Sequence, residues 1–263
     1  MSPLLSRLLL AAVLLPLVLG VVWLGGWWLF SLALLGGLLA LHELYGIARG
    51  LRPIVLAGYT GLVLTLLGAQ LGGQEWILAG ILATFPAALL VFFVSSVRQN
   101  AVAAFSVTML GTAWVGGGLA YLILIRDVPS DGRLLVFATL LTVFADDTAA
   151  FFVGRMIGRH RLAPAISPGK SWEGFVAGTV AAVAVAFFAL YEQDVMTTGE
   201  SLLFGLAIGV AATLGDLFES AVKRDLGVKD SGRVLAGHGG VLDRMDSLLW
   251  AGPAAYVTLL ALT

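Results

Sequence analysis

The chain has 263 residues, of which 59% are hydrophobic and only 12% are charged, and its mean hydropathy is +0.98. Soluble proteins carry roughly 25% charged residues, so the composition excludes an ordinary soluble domain, and it also excludes a disordered chain. The sequence contains no cysteine, which excludes disulfides, thiol catalysis and thiolate metal sites. The remaining class is a polytopic membrane protein.

Uncharged stretches follow one another along the whole sequence, and a spanning helix needs about 20 mostly apolar residues. The first stretch, Leu8–Leu41, is long enough for two spans, which Gly25-Gly26 would separate. No small-x-small cleavage site follows its start, so we expect an uncleaved first helix rather than a signal peptide. About nine spans are predicted in an all-α fold, and the other seven are Pro53–Gln74, Trp76–Val97, Gln99–Ile125, Leu134–Gly154, Gly174–Tyr191, Leu202–Glu219 and Leu248–Leu262.

The basic residues predict the orientation of these spans. When the connections are assigned alternately to two sides, every Lys and Arg except Arg126 and Arg133 falls on the side of the N-terminus. Cytoplasmic connections carry an excess of Lys and Arg. We therefore expect a cytoplasmic N-terminus and, with nine spans, an external C-terminus.

The sequence predicts one membrane-embedded domain over residues 1–263, because no linker, low-complexity tract or convincing repeat divides it. Residues 1–130 are expected to form N-terminal helices that act as a scaffold and contact lipid. Residues 140–250 are expected to form the catalytic half, because they contain the two longest and most charged cytoplasmic connections, 155–173 and 220–247.

Four acidic residues lie inside or at the edge of predicted spans, namely Asp146, Asp147, Asp216 and Glu219. A charge in hydrocarbon costs at least about 2.5–3.5 kcal/mol, so each needs a partner, a cation or a water-filled cavity. Carboxylates at similar depth repel one another unless a metal ion or a basic side chain lies among them. Oxygen ligands without cysteine suit Mg²⁺, which typically takes one or two carboxylates plus substrate phosphates.

The segment 215–247 is the densest polar stretch of the sequence. In a continuing helix Asp216, Ser220 and Lys223 would share one face, since they are spaced i, i+4 and i+7. Asp243 and Asp246 would share a face if the ninth helix already includes both. Glycines flank His238 on both sides, so the backbone there can bend sharply and approach a ligand closely.

The other charged connection contains Pro168-Gly169, which is predicted to form a turn that presents Lys170 and Ser171. Such a turn can bind phosphate through backbone N–H groups and the lysine. A P-loop is excluded, because Pro164 stands where its first glycine would be and no strand precedes it. Cationic connections and carboxylates at one membrane face fit phosphoryl or nucleotidyl transfer from a soluble polyanion to a lipid, with Mg²⁺.

These two segments resemble the phosphatidate cytidylyltransferase (CDP-diacylglycerol synthase) family, and the resemblance covers about residues 140–250. The matching residues are Ser220, Lys223-Arg224, Lys229-Asp230, His238-Gly239-Gly240, Asp243-Arg244 and Asp246, together with Ala163-Pro164, Ser167-Pro168-Gly169-Lys170 and Trp172. The chain departs from the family pattern at Ala236, where Pro or Gly is usual. Asp147 takes the position of a family aspartate, whereas Asp146 is extra.

The resemblance implies the reaction of CTP with phosphatidate to give CDP-diacylglycerol and diphosphate, in a multi-pass protein of the cytoplasmic (bacterial inner) membrane. Mg²⁺ is the implied cofactor, as two divalent ions or as one with a monovalent cation, held by Asp216, Asp243, Asp246 and Asp147. The implied catalytic residues are Asp216, Asp243, Asp246, Lys223 and Arg224. The implied substrate-binding residues are Ser167, Lys170, Ser220, Lys229, His238, Gly239, Gly240 and Arg244. No nucleic-acid partner is expected, and a homodimer stays open.

Two alternatives remain. A transporter or ion channel could use Asp146, Asp147 and Asp216 as a coupling-ion site, although transporters usually show repeats with paired broken helices, and none is visible. A related CTP-using membrane enzyme, such as a lipid-alcohol kinase or another CDP-lipid synthase, would carry similar residues. The pair His42-Glu43 at the end of the second span is either structural or a distant support of the site.

Overall fold

The computed structural model describes residues 15–95, 100–129, 131–191, 195–232 and 239–262. These ranges contain the helices α1 (Leu15–Leu24), α2 (Gly26–Ile47), α3 (Val55–Gly72), α4 (Gln74–Val94), α5 (Ala101–Gly111), α6 (Gly117–Arg126), α7 (Gly132–Ile157), α8 (Trp172–Tyr191), α9 (Thr198–Asp225) and α10 (Asp246–Leu262). A π-helical turn, Thr112–Gly116, joins α5 to α6 in one continuous rod. A short hairpin of β1 (Arg161–Ala163) and β2 (Ser167–Ser171) lies between α7 and α8.

Seven helices in the described ranges are long and apolar enough to cross a membrane, with α5 and α6 counted as one, and α1 and α10 are shorter apolar helices. The prediction of an all-α, multi-pass membrane protein is therefore confirmed.

The break predicted between the first two spans is confirmed at Gly25. Both Gly25 and Gly26 have positive φ (68° and 50°), a conformation that glycine adopts without steric cost. The guanidinium of Arg126 donates to the carbonyls of Val22 (3.1 Å) and Trp23 (3.0 Å) at the end of α1. A positive charge at a helix C-terminus is favourable, so Arg126 stabilises the end of α1.

Contacts divide the chain into two compact units. Unit 1 comprises Met1–Asp127 and Val228–Met245, and unit 2 comprises Val128–Gly227 and Asp246–Thr263. Unit 1 thus contains α1 to α6 and the part of the charged segment that follows α9. Unit 2 contains α7 to α10 and the hairpin.

Small residues bring the helices of unit 1 close together. A Cβ on Gly37 of α2 would lie 3.0 Å from a methyl group of Leu119, and the hydroxyl of Tyr45 donates to the backbone oxygen of Thr108 (3.1 Å). The Thr108 hydroxyl in turn accepts the N–H of Ile54 (2.8 Å), which satisfies the start of α3. Close approach at small residues is how helices associate in lipid, because no hydrophobic force drives them together there.

Glycines also set the packing of unit 2. A Cβ on Gly174 of α8 would lie 2.7 Å from the carbonyl oxygen of Ala150 in α7, and one on Gly205 of α9 would lie 2.6 Å from Cα of Val183 in α8. Gly174 and Gly178 form a small-xxx-small pattern on α8, as Gly205 and Gly209 do on α9. Helix α8 is therefore in backbone contact with both neighbours.

Helix α9 is longer than the sequence predicts. It has 28 residues and ends at Asp225, so Ser220, Lys223 and Arg224 lie on the helix and not in a connection starting at residue 220. Its length of about 42 Å exceeds the hydrocarbon core of about 30 Å, which gives the last turns room outside it. A capping box of Thr197 and Glu200 starts the helix, and the two basic residues in its last turn suit its dipole.

We expect Gly205→Ala to lower the free energy of unfolding by about 1–3 kcal/mol, because the added methyl group overpacks the contact with Val183. Thermal unfolding in detergent measures the effect. Gly199→Ala on the same helix is the matched control, since nothing lies within 4 Å of its Cβ position. Equal stability of the two variants would contradict the close packing of α8 and α9.

Candidate active site

The connection between α7 and α8 folds as an antiparallel hairpin, which the sequence reasoning missed. Its turn is closed by the N–H of Ile166, which donates to the carbonyl of Ala163 (3.2 Å). Pro164 stands second in this turn, where its fixed φ is favourable. The prediction that Pro168-Gly169 forms the turn is wrong, because both residues lie in β2.

The hairpin is fixed to α8 by side chains at the base of its strands. The Ser171 hydroxyl accepts the N–H of Gly174 (3.2 Å), which caps the start of α8. The carboxylate of Glu173 accepts the N–H groups of Arg159 (3.2 Å) and His160 (3.3 Å) and lies 2.6 Å from Nδ1 of His160. These hydrogen bonds hold the hairpin, and the residues on it, in a defined position at the start of α8.

Strand β2 presents Lys170 to α9. Nζ of Lys170 lies 2.7 Å from Oδ2 of Asp216, and the two side chains are 24% and 32% exposed. Nε of Arg224, two turns further along α9, donates to the backbone oxygen of Ile166 in the hairpin turn (3.3 Å). Since the Lys170–Asp216 ion pair is partly exposed, a ligand can reach both of its charges.

The predicted polar face of α9 is confirmed as helical, but its lysine has a different partner. The hydroxyl of Ser220 donates to Oδ1 of Asp216 (3.3 Å). Nζ of Lys223 contacts the carboxylate of Glu219, which is buried and follows Asp216 by three residues on α9. Glu219 was not among the predicted site residues, although its i, i+4 spacing to Lys223 signals such a pair.

The adjacent aspartates of α7 have different surroundings. Asp147 accepts a hydrogen bond from the hydroxyl of Ser247 (3.3 Å) at the start of α10. Asp146 is only 1% exposed, and its Oδ1 has no hydrogen-bond partner among the described residues. That oxygen faces two glycines, since a Cβ would approach it to 2.8 Å from Gly178 and to 3.3 Å from Gly209. Asp146 is thus enclosed by α7, α8 and α9.

Asp246 is the first residue of α10, and its Oδ1 accepts the N–H of Ser247 (2.8 Å). Asp243 lies in a separate 3₁₀ turn, Leu242–Arg244. The expectation that both aspartates share one helical face is therefore wrong. The Asp246 carboxylate starts a new helix, where the helix dipole favours a negative charge.

Three carboxylates of unit 2, those of Asp147, Asp216 and Asp246, are close enough to repel one another electrostatically. Lys170 attracts the Asp147 carboxylate, and Lys223 attracts that of Asp246. In the described ranges, no three Asp, Glu or His side chains converge closely enough to hold a metal ion by themselves. Since Mg²⁺ typically takes one or two carboxylates together with substrate phosphates, the hard oxygen donors fit an ion that arrives with a nucleotide.

In unit 1, Asp243 is held by backbone amides. Its carboxylate accepts the N–H groups of Gly240 (2.7 Å) and Ser231 (3.1 Å). Gly239 has a φ of 83°, and a Cβ there would lie 2.8 Å from Oδ2 of Asp243. This glycine lets the chain turn tightly around the carboxylate.

The remaining predicted residues have varied positions. Ser167 is half-buried at the start of β2, and Lys229 and Arg244 are exposed. His238 lies outside the described residues, so its predicted role stays a prediction. His42 and Glu43 do not form a pair, because Nδ1 of His42 lies 3.1 Å from the Tyr59 hydroxyl while Glu43 binds the N–H of Leu242 (2.9 Å).

We expect Glu219→Gln and Lys223→Met each to lower the free energy of unfolding by about 3–5 kcal/mol, because each removes one partner of a buried ion pair. Denaturation in detergent measures both variants. The double variant removes both charges, so its loss should be well below the sum of the single losses. Additive losses would contradict the coupling of the two side chains.

The described residues form a helical membrane fold in which carboxylates lie beside the ammonium groups of Lys170 and Lys223, and such an arrangement suits phosphorylated substrates. A model of the cytidylyltransferase family matches residues 5–262. The chain belongs to this family, and it is a nucleotidyltransferase.

Bacterial relatives agree with the family match. A phosphatidate cytidylyltransferase of Staphylococcus haemolyticus is 33% identical over 260 residues, which cover 97% of this chain and 98% of that protein. The proteins of the same name from Mycobacterium leprae and Haemophilus influenzae are 41% identical over 158 residues and 44% identical over 130 residues. These two alignments cover 59% and 48% of this chain and 49% and 45% of those proteins.

Proposed function

We propose that the chain catalyses the reaction of CTP with phosphatidate to give CDP-diacylglycerol and diphosphate. The observation that carries the proposal is the cluster of Asp147, Asp216 and Asp246 with Lys170 and Lys223 in a chain of the cytidylyltransferase family. Its similarity to the Staphylococcus haemolyticus protein extends over 97% of the chain and supports the same substrates.

In the proposed reaction, a phosphate oxygen of phosphatidate attacks the α-phosphorus of CTP. The bond from this phosphorus to the oxygen that bridges to the β-phosphorus breaks, and diphosphate leaves with the bonding electrons. No covalent enzyme intermediate is required. Positioning and neutralisation of phosphate charge can supply most of the rate acceleration.

We propose that Asp216, Asp246 and Asp147 are the Mg²⁺ ligands of unit 2, with only one or two of them bound to an ion that substrate phosphates also bind, and that Asp243 of unit 1 is also a cation ligand. Mg²⁺ bound in this way would neutralise negative charge on the reacting and leaving phosphates. Lys170 rests on Asp216 at 2.7 Å, where its ammonium occupies the place of a cation. If a metal ion took this place on Asp216, the Lys170 ammonium would become available to a phosphate.

The other predicted residues are proposed to bind the substrates. Arg224 and Lys223 carry positive charge at the end of α9. The hydroxyl of Ser220 is beside Asp216. The further proposed contacts to nucleotide or lipid headgroup are Ser167, Lys229, His238, Gly239, Gly240 and Arg244.

We also propose that the N-terminus is cytoplasmic and that the protein resides in the cytoplasmic membrane. The bacterial origin of its relatives and the one-sided distribution of Lys and Arg support this placement. A homodimer stays a prediction.

We expect Asp216→Asn and Asp246→Asn to abolish CDP-lipid formation, because each removes a proposed cation ligand. Purified protein in detergent with labelled CTP, phosphatidate and Mg²⁺ provides the assay. Asp225→Asn is the matched control, since Asp225 is exposed at the end of the same helix as Asp216. A near wild-type rate in either ligand variant would refute the metal assignment, and no CDP-lipid from the wild type with any divalent metal would refute the function.

The absence of native cysteine allows a direct test of orientation. We expect Gly50→Cys, between α2 and α3, to react with a membrane-impermeant maleimide only in inverted vesicles. Gly199→Cys, at the start of α9, should react only in right-side-out vesicles. Both positions are exposed with nothing within 4 Å of the Cβ. The reversed labelling pattern would refute the cytoplasmic N-terminus.

A further inference from the structure

We propose that Glu43 of α2 is a positioning residue, which fixes the segment carrying Asp243 through Ser231 and Leu242. The inference rests on the proposed role of Asp243 as a cation ligand. Glu43 lies far from Asp243 in the sequence, so only the fold brings the two residues into one hydrogen-bond network.

Glu43 binds two distant points of the chain with one oxygen. Its Oε2 accepts the backbone N–H of Leu242 (2.9 Å) and the hydroxyl of Ser231 (3.3 Å). The side chain is buried, at 5% exposure. Hydrogen bonds to a charged acceptor are stronger than those between neutral groups, so the carboxylate holds both Ser231 and Leu242 in place.

Ser231 connects Glu43 directly to Asp243. While its hydroxyl donates to Glu43, its backbone N–H donates to both oxygens of Asp243 (3.2 and 3.1 Å). Leu242 is bonded to Glu43 and is the immediate neighbour of Asp243 in the chain. Asp243 is therefore linked to Glu43 through one of its donors, Ser231, and through its chain neighbour Leu242, so a shift of Glu43 would move both.

Two glycines leave the space that the Glu43 side chain occupies. A Cβ on Gly232 would lie 2.6 Å from Cδ of Glu43, and one on Gly240 would lie 2.8 Å from the same atom. The backbone therefore comes close to the Glu43 carboxylate at both glycines. Gly240, which the sequence analysis assigned to substrate binding, has this packing task in the described structure.

This arrangement suits positioning because a metal ligand needs a fixed geometry. Catalytic groups must be held within about 0.5 Å of their productive position, and changes in the groups that orient metal ligands typically cost 10–100-fold in metal affinity or activity. Glu43 is linked to Asp243 through Ser231 and Leu242, so the role proposed for it is that of a positioning residue.

The test compares Glu43→Ala and Glu43→Gln in the full-length protein in detergent. Glu43→Ala removes the acceptor of both hydrogen bonds, and we expect the Mg²⁺ concentration for half-maximal CDP-lipid synthesis to rise at least about tenfold. Glu43→Gln keeps an acceptor oxygen, so its Mg²⁺ dependence should fall between those of the wild type and Glu43→Ala. Hydrogen exchange without substrate or Mg²⁺ is the second measurement, and the peptide covering 239–245 should exchange faster in Glu43→Ala.

Leu44→Ala is the matched control, because Leu44 is fully buried on the same helix (0% exposed). We expect it to lower thermal stability and to leave the Mg²⁺ half-saturation unchanged. If Glu43 only supported folding, Glu43→Ala would behave in the same way. An unchanged Mg²⁺ half-saturation with unchanged exchange at 239–245 in Glu43→Ala would therefore overturn the inference.

Asp243→Asn separates this inference from the proposed function. If Asp243→Asn raises the Mg²⁺ requirement and Glu43→Ala does not, the role of Asp243 stands and the positioning role of Glu43 is refuted. If Asp243→Asn keeps the wild-type rate and Mg²⁺ dependence, the cation role of Asp243 is refuted, and the inference falls with it. Faster exchange in Glu43→Ala would then show only that Glu43 anchors the segment.

Discussion

A carboxylate taken out of water must be given donors or counter-charges, and this constraint organises the polar parts of both units. In unit 2 the counter-charges are ammonium groups, with Lys170 on Asp216 and Lys223 on Glu219. In unit 1 the partners are mainly backbone N–H donors, two of which bind Asp243 and one of which binds Glu43. Carboxylate oxygens of this kind are also the protein ligands that Mg²⁺ prefers.

Glycine makes these arrangements possible in a fold with little room between its helices. In unit 2, Gly178 and Gly209 let α8 and α9 approach the Asp146 carboxylate of α7. In unit 1, Gly232 and Gly240 let the backbone at these two positions come close to the Glu43 carboxylate. The high glycine content of the sequence therefore serves the placement of charge as well as the packing of helices, because a side chain at these positions would displace a carboxylate.

Hydropathy predicted the helices well, since an uncharged run in a membrane protein has few structures open to it. The break at Gly25 followed from the same reasoning. The hairpin was missed because its three- and five-residue strands lack an alternating apolar pattern. The length of α9 was underestimated because the span was ended at the first charges, whereas the helix continues with polar side chains on its surface.

The site residues could be predicted only as chemical types. The spacing of Asp216, Ser220 and Lys223 indicated one helical face, but it could not show that Lys223 turns to Glu219. For Glu43 the sequence left a structural role and a distant support of the site equally open, because its partners lie 188 and 199 residues away. Such contacts depend on how the chain folds back on itself, which the local pattern around His42-Glu43 does not encode.

The ion pair of Lys170 and Asp216 bears on the order in which a metal ion and a nucleotide would bind. The carboxylate and the ammonium neutralise each other, so a bare divalent ion must compete with a cation that is already in contact. A nucleotide that brought its own metal would offer a replacement for both partners at once, a cation for the aspartate and an anion for the lysine. Each charge of the pair would keep a counter-charge, which would favour the metal–nucleotide complex over either component arriving alone.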